Sequence, residues 1–495
     1  MSTYIVLNPN DDVGVAIEAL APGTTLPIGG GVTLRENIPA GHKFAVKDIA
    51  SGAMVRKYGT PIGHAITAIP AGSWVHVHNV KTNLAGEEEY QYDPTEPVGA
   101  HSPDIPMFDG YRRDSGKVGI RNEVWVIPTV GCVNWLVERL AKDANAEKPD
   151  GIDLVVAFPH PFGCSQLGED HENTRTILAN LARHPNAGAV LFVGLGCENN
   201  VMKDFRALVE SHSDRSSNIH YMIAQDERDE YAVGMEHMRE LMAKAGGARR
   251  EKVPVSELVV GMKCGASDGL SGVTANPLLG GFSDWLVDRG GRSVLTEVPE
   301  MFGAEHSLLN RAVDKNVFQR GVDMVNNFKK YFIRYNQTIY ENPSPGNKDG
   351  GITTLEDKSI GCTQKGGTRP IVDVIPYGGT ATKPGVTLLS GPGNDIVSVS
   401  VMAAAGAHMV LFSTGRGNPL GAPVPVVKVS SNHDLAERKP HWIDFDASPL
   451  AAGKPMAELV DQFAALILAT ASGQKTKSEI SGFHDFAIFK DGVTL

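Results

Sequence analysis

From about residue 108 onward, apolar strand-like runs alternate with helix-like runs, and this alternation constrains the fold more than any other feature of the chain. Strands are predicted near 123–130, 153–158, 189–195 and 257–263, followed by helices near 133–143, 172–184, 199–212 and 277–289. Further strands are predicted near 370–376, 386–390, 408–413 and 424–430. A β-α order of this kind closes without knots only as an α/β architecture with a doubly wound, mostly parallel sheet. Residues 1–85 read differently, as a small all-β unit of short alternating segments. Its turns include the echoing steps Ile38-Pro39-Ala40-Gly41 and Ile69-Pro70-Ala71-Gly72. Residues 86–107, with Glu87-Glu88-Glu89 and then Pro94, Pro97, Pro103 and Pro106, read as an extended linker. The remainder divides into a middle region, 108–255, whose first βα units offer dimer contacts, and a C-terminal α/β region, 256–495. Within the latter, 304–336 is helical, and 341–368 is a long irregular segment whose content favours function.

Four of the five cysteines share one placement. Cys132, Cys164, Cys197 and Cys264 each follow a strand-like run and sit beside a glycine or a polar turn. The carboxyl ends of parallel strands meet at one edge, where ligands bind, so the pattern places four soft donors in one crevice. A single buried cysteine usually behaves as a small apolar residue. Four at strand ends, in strings such as Phe162-Gly163-Cys164-Ser165-Gln166 and Gly196-Cys197-Glu198-Asn199, point instead to a metal. Thiolates favour iron–sulfur clusters, zinc or copper(I). Three of them on a [4Fe–4S] cluster leave one iron open; mononuclear Fe(II) with histidine or carboxylate help is the rival, and zinc is third. Cys362 has no assigned role.

A net charge of −11 over 495 residues argues against nucleic acid or an anionic membrane as the main partner. It leaves room for a small anion, which responds to local charge. No apolar run reaches the roughly 18 residues of a membrane span, and Met1 to Val6 lacks the blocks of a signal peptide. A cytoplasmic location is expected, and there widely spaced cysteines are free or metal-bound rather than paired.

His76 and His78 alternate on a predicted strand and so share a face, as metal ligands or as acid and base; a solvated strand face is the plain alternative. His42, in Gly41-His42-Lys43, is a weaker single. The segment from Glu341 to Gly367 carries Lys348 and Lys365 among amide and hydroxyl donors, which suits a polyhydroxylated anion. Two later turns hold Asn394 and Arg416, the latter a candidate carboxylate clamp. Neither turn has the spacing of a nucleotide-binding loop, which weakens a dehydrogenase reading.

Long strings resemble the altronate/galactarate dehydratase family of sugar-acid lyases. They include Gly41-His42-Lys43-Phe44, Thr129-Val130-Gly131-Cys132-Val133-Asn134, Gly163-Cys164-Ser165-Gln166-Leu167-Gly168 and Gly194-Leu195-Gly196-Cys197-Glu198-Asn199-Asn200. They continue through Thr274-Ala275-Asn276-Pro277, Glu297-Val298-Pro299-Glu300 and Phe412-Ser413-Thr414-Gly415-Arg416-Gly417, so the likeness runs end to end. The resemblance implies a SAF-like (β-clip) N-terminal domain, a linker and a Rossmann-like C-terminal region, in a homodimer. It implies loss of water from D-altronate to give 2-dehydro-3-deoxy-D-gluconate, with iron, or Mn(II) as a substitute, and reducing conditions. The His76-Val77-His78 pattern favours the aldonate branch.

These readings combine into one expected mechanism. Cys132, Cys164 and Cys197 hold the iron, with Cys264 a further ligand or a packed neighbour. His76 or His78, swung over on a mobile small domain, removes the C2 proton, with His42 a lesser candidate. Lys348 and Lys365 serve in catalysis, and Lys348, Asn276, Asn394 and Arg416 bind the substrate. The alternatives are a galactarate dehydratase, a sulfolactate sulfo-lyase on the same scaffold, and a non-catalytic sugar-acid sensor.

Overall fold

The structure is a computed structural model that describes residues 3–95, 102, 104–212 and 217–495. Part of the expected linker, residues 96–101 and 103, lies outside the described residues. The small N-terminal domain is built from short antiparallel strands. One sheet joins Tyr4–Ile5, Val13–Ala16, Lys43–Ala45 and Trp74–Val75, and a second joins Met54–Lys57, Thr60–Ala65 and Val80–Lys81. The hairpin of the second sheet turns through Tyr58 and Gly59, both at positive φ (60° and 74°), the conformation of a tight two-residue hairpin turn. A glycine takes that conformation without strain and a tyrosine does not, so Tyr58 is held there by what it touches. Its hydroxyl reaches the C-terminal domain: a Cβ added at Gly272 would lie 2.2 Å from the Tyr58 hydroxyl oxygen.

Two parallel sheets follow, where the sequence suggests one. The middle region holds four strands in the order Val155–Ala157, Glu123–Pro128, Ala187–Gly194, Ile219–Ile223. The C-terminal region holds seven, in the order Ile371–Ile375, Gly385–Leu389, Arg292–Leu295, Val259–Cys264, Met409–Thr414, Val426–Ser430, Phe445–Asp446. The sequence reading places a boundary at 255/256 but does not predict strand Ile219–Ile223 or helix Glu230–Ala245, which complete the first sheet, and so merges the two sheets into one. Strand Glu251–Pro254 then turns back antiparallel on Met107–Arg112. The four cysteine-bearing runs are strands or lead from them, but three thiols belong to the first sheet and Cys264 ends a strand of the second. The single four-thiol crevice is therefore corrected to two thiol sets.

Two other expectations are revised. The stretch read as one helix from 304 to 336 is two, Glu305–Leu309 and Lys315–Arg334. The segment read as irregular from 341 to 368 contains helices Pro345–Asp349 and Leu355–Thr363, the second buried along its whole length. Its polar composition looks like a loop, yet each charge on it has a partner, which is what burial of a charge requires. No helix among the described residues is long and apolar enough to cross a membrane.

Candidate active site

Helix Leu355–Thr363 is the seat on which the small domain rests. Thr354 caps it, its hydroxyl accepting from the Asp357 amide at 3.2 Å. Three consecutive charges then reach in three directions. Glu356 accepts from the Asn83 amide at 2.6 Å and the Thr82 hydroxyl at 2.7 Å, anchoring the chain as it leaves the small domain. Asp357 accepts from both Lys43 at 2.7 Å and Lys57 at 3.0 Å. Lys358 donates to Glu300 at 2.7 Å and to Asn342 at 3.0 Å. One core cluster also runs across the boundary, joining small-domain residues such as Val55 and Ile62 to Ala304 and Ile360. The described part of the linker is fixed as well: Lys329 donates to the Tyr90 hydroxyl at 2.7 Å, and that hydroxyl donates to Glu305 at 2.9 Å. The small domain is thus docked by buried ion pairs rather than hung on a free tether, and the mobile lid is corrected accordingly.

One carboxylate facing two buried ammoniums leaves a surplus positive charge, and the lysines share Asp357 unequally. Burial works against both. Lys43 is lowered to about 8, its attraction to Asp357 only partly compensating. Lys57, which Asp357 and Tyr58 favour, is raised. Burial would raise Asp357, but the two lysines hold it below the usual carboxylate range.

On the other face of the helix, at the carboxyl edge of the seven-stranded sheet, lies a second buried ionic cluster. Lys263 pairs with Glu297 and, at 2.8 Å, with Asp395. Lys365 donates to Glu297 at 3.0 Å and to the Cys264 sulfur at 2.9 Å. Glu297 sits at φ 69°, a strained conformation for a non-glycine residue. The 3-10 turn Val298–Glu300 that follows sends Glu300 to the same centre. There the Cys264 and Cys362 sulfurs and a Glu300 oxygen form a triangle with every side 3.3 Å. Burial would raise Glu300, but Lys358, Lys263 and Lys365 hold it low. Burial would lower Lys358 and Lys365; Glu300 and the thiols raise the first to about 12, and Cys264 and Glu297 raise the second well above its usual value. The hydrogen bond with Cys264, together with burial, pushes the Cys362 thiol up.

This centre fits a divalent ion on geometry and on charge. An ion about 2.0–2.3 Å from a carboxylate oxygen and two sulfurs sits naturally above donors so spaced. Lys263, Lys358 and Lys365 face Glu297, Glu300 and Asp395, three cations to three carboxylates, and an ion bound by the thiols takes the place of their protons.

Between the small domain and this centre is a tight pocket of about 10 Å³, lined by Lys57, Tyr58, Ser267, Asp357, Lys358 and Cys362. The Ser267 hydroxyl is buried there with no hydrogen-bond partner among the described residues. Asp268 borders both this pocket and a wider groove of about 730 Å³ that includes Glu18, Asp349, Arg416 and Asn432. The groove lies at the carboxyl ends of the parallel strands, where open α/β sheets bind ligands, and it is roomy enough for a six-carbon acid.

The other sequence candidates fall as follows. His76 is buried beside Lys43, stacked on Trp74 (5.5 Å, 9°), with Nδ1 3.2 Å from the Thr353 hydroxyl. Burial and the Lys43 charge lower it to about 3, so it is neutral. His78 lies beyond the strand, its ring 5.3 Å from the Trp74 ring on which His76 stacks. The strand ends at Val75, and a turn follows in which Asn79 accepts from the His76 amide at 2.9 Å, leaving His78 exposed. His42 is occupied, accepting from Trp74 at Nδ1 and bonded through Nε2 to the Asp349 carbonyl, each at 3.1 Å. Asn276 is buried between the Gly361 carbonyl (3.0 Å) and the Ser413 hydroxyl (2.5 Å), and Arg416 donates to the Gly346 carbonyl at 2.6 Å. Lys348 is half-buried on helix Pro345–Asp349. Asn394 is an exposed helix cap accepting from the Val397 amide at 3.2 Å, while its neighbour Asp395 enters the ionic cluster. Cys132 and Cys197 are exposed and Cys164 half-buried, on the other sheet. Sequence reasoning missed Lys263, Glu297, Glu300 and Lys358 and left Cys362 unassigned. The string Glu297-Val298-Pro299-Glu300 was the available signal, since two acids astride a proline turn are poorly placed for plain core.

A small all-β domain fastened over a crevice of paired lysines and carboxylates, at the carboxyl edge of a parallel sheet, is an arrangement suited to an enzyme that acts on a small polar molecule. Three family descriptions match the chain in succession: the altronate/galactarate dehydratase SAF domain over residues 2–83, the D-galactarate dehydratase/altronate hydrolase second domain over 110–246, and the D-galactarate/altronate dehydratase C-terminal domain over 255–494. The chain belongs to the D-galactarate/altronate dehydratase family. It is 52% identical to an altronate dehydratase of Escherichia coli strain K12, covering 99% of this chain and 100% of that one. It is 47% identical to an altronate dehydratase of Bacillus subtilis strain 168, covering 100% of both. It is 34% identical to the L-threo-forming galactarate dehydratase of Escherichia coli strain K12, over 98% of this chain and 96% of that one.

Proposed function

We propose that the chain is a hydro-lyase that removes water from D-altronate to give 2-dehydro-3-deoxy-D-gluconate, in the cleft between the small domain and the C-terminal sheet. The observation that carries this reading is the pair of buried ammoniums, Lys43 and Lys57, that share the Asp357 carboxylate beside the pocket, with Asp268 also lining it. The substrate carboxylate binds toward that pair, and the unpartnered Ser267 hydroxyl takes a substrate hydroxyl. His76, neutral and with no hydrogen bond from Nε2 among the described residues, accepts the C2 proton. The bound carboxylate raises the basicity of the imidazole. The Lys358 ammonium, its protons held by Glu300, Asn342 and Asn347, borders the pocket and stabilises the enediolate and the departing hydroxide through its charge.

Cys264, Cys362 and Glu300 are the residues that would hold iron(II), or manganese(II) in its place. Such an ion supplies a Lewis acid for a carboxylate or hydroxyl oxygen. Free thiols throughout suit a reducing, cytoplasmic setting, and the working unit is a homodimer.

The test is anaerobic incubation with D-altronate, galactarate or 2-sulfolactate, with products followed by mass spectrometry. The reading expects loss of one water from D-altronate at the highest kcat/KM of the three. Preference for galactarate, or release of sulfite, overturns it. Sedimentation of the purified protein at the mass of one chain would refute the dimer.

A further inference from the structure

The cleft uses neither Cys132, Cys164 nor Cys197, and these three thiols form a set of their own. They follow three neighbouring strands of the four-stranded sheet, Cys132 after the middle one. The loops that carry them are stitched together. The Gly131 amide donates to the Phe162 carbonyl at 2.8 Å, the Asn200 amide to the Gly163 carbonyl at 2.9 Å, and the Ser165 amide to the Asn199 side chain at 2.8 Å. A glycine precedes each thiol, and close approach demands it: a Cβ at Gly131 would stand 2.7 Å from the His160 carbonyl, and one at Gly163 2.0 Å from the Thr129 carbonyl. At Gly196 the backbone takes φ 127°.

The side chains around the set are arranged for a ligand. Gln166 and Asn200 are 3% and 1% exposed, yet Gln166 Nε2 and Asn200 Oδ1 have no hydrogen-bond partner among the described residues. Their other ends are fixed, Gln166 Oε1 by the Gly163 amide at 3.2 Å and Asn200 Nδ2 by the Thr129 carbonyl at 3.2 Å. Gln225 Nε2 lies 4.0 Å from the Cys197 sulfur, at the distance of an N–H···S contact. Competing hard ligands are occupied. Glu198 accepts from Thr129, Leu195 and Gly196, and His160 is bonded at both ring nitrogens. Thiols are left as the donors.

Spacing decides what they take. The three sulfurs are not all within 4.8 Å of one another, as the donors of the buried Cys264 centre are. A single ion about 2.3 Å from each sulfur would need all three within about 4 Å of each other. A polynuclear cluster spans more, and three thiols fall one short of the four that a closed iron–sulfur site uses. The exposed Cys132 and Cys197 leave the open corner toward solvent.

We infer that Cys132, Cys164 and Cys197 bind a [4Fe–4S] cluster with one iron free of protein ligands, separate from the divalent site of the cleft. Acid-labile sulfide distinguishes the two, because the cleft site holds none. The test is anaerobic reconstitution of the full chain with ferrous iron, sulfide and a thiol reductant, then desalting, sulfide analysis and a visible spectrum. The expected result is about four sulfides per chain with a broad charge-transfer band. Sulfide and band should be lost in each of Cys132→Ser, Cys164→Ser and Cys197→Ser and kept in Cys264→Ser and Cys362→Ser. Cys132 and Cys197 are exposed and Cys164 is half-buried against the core, and a melting curve of each apo variant separates loss of the cluster from loss of the fold. A sulfide-free wild-type protein, zinc in place of iron, or full sulfide retention in any of the three variants would overturn the assignment.

Discussion

The two parallel sheets each present cysteines at their carboxyl edges and use them in opposite surroundings. On the seven-stranded sheet, Cys264 and Cys362 are buried among three lysines and three carboxylates, every charge answered by another. On the four-stranded sheet, Cys132 and Cys197 are exposed among amides, and the nearby carboxylate of Glu198 is spent on its own loop. A thiol held in a buried charge network is fixed by partners whose loss is costly. A thiol on stitched loops is fixed by backbone geometry and is free to meet a ligand. The contrast teaches that strand-end placement locates a site, while the charges around it decide its chemistry.

The largest effect should come from breaking the ion pairs that dock the small domain. Asp357→Asn leaves Lys43 and Lys57 buried without a counter-charge, a loss of about 3–5 kcal/mol by analogy with broken buried pairs. Chemical denaturation should show an early transition, and activity should vanish with it. An unshifted transition would mean that the two lysines are not held by this carboxylate.

The next effect is on turnover. Lys358→Met should lower kcat by about 100–1,000-fold, the range for losing one preorganised donor to a developing oxyanion, with a smaller change in KM. Cys132→Ser, on the other sheet, should leave the unfolding midpoint of the apo protein in place. Equal destabilisation by Asp357→Asn and Cys132→Ser would erase the contrast between the regions.

A finer separation lies within the small domain. His76→Asn should reduce kcat by about 100-fold or more, as expected for loss of a general base. His78→Asn should stay near wild type, because His78 is exposed beyond the turn that Asn79 closes. Similar losses in both variants would restore the two-histidine face that the sequence suggested.

A pH dependence in the four-stranded region separates the two sheets further. Glu123 is buried, and among the described residues only the Trp125 indole donates to its side chain, because Arg121 is engaged with Glu479 at 2.7 and 2.9 Å. Burial raises its pKa to about 8. Its folded pKa lies above the unfolded value, so its stabilising contribution is full below about pH 4.5 and fades as pH rises toward 8. Glu123→Gln should flatten that decline, giving a melting temperature above wild type at pH 8 but not at pH 4.5. Parallel curves for the two proteins would show that Glu123 does not titrate in this window.

Much of the fold was legible because periodicity survives translation into sheets. The predicted strands at 257–263 and 408–413 lie within one residue of Val259–Cys264 and Met409–Thr414 at their carboxyl ends, and the all-β start was plain from its turns. The change of sheet was not: a boundary was legible at 255/256, but strand Ile219–Ile223 and helix Glu230–Ala245, which complete the first sheet, were not predicted. Helix Leu355–Thr363 was hidden for a different reason. Local sequence shows Glu356, Asp357 and Lys358 as a polar run, and only long-range partners, more than two hundred residues away for the first two, make it buried. The same holds for the candidate site. Lys365 and Cys264 were singled out from their neighbours in sequence, whereas Glu300 and Cys362 gain meaning only through the 3.3 Å contacts that folding creates.

The most direct test of the account is a crystal structure of the protein soaked with D-altronate. The account predicts the sugar acid in the cleft, its carboxylate toward Lys43 and Lys57 and its C2 within reach of His76 Nε2, with Lys358 beside the C3 hydroxyl. Density for the acid at the Cys132, Cys164 and Cys197 edge, with the cleft unchanged, would contradict it and move the reaction to the other sheet.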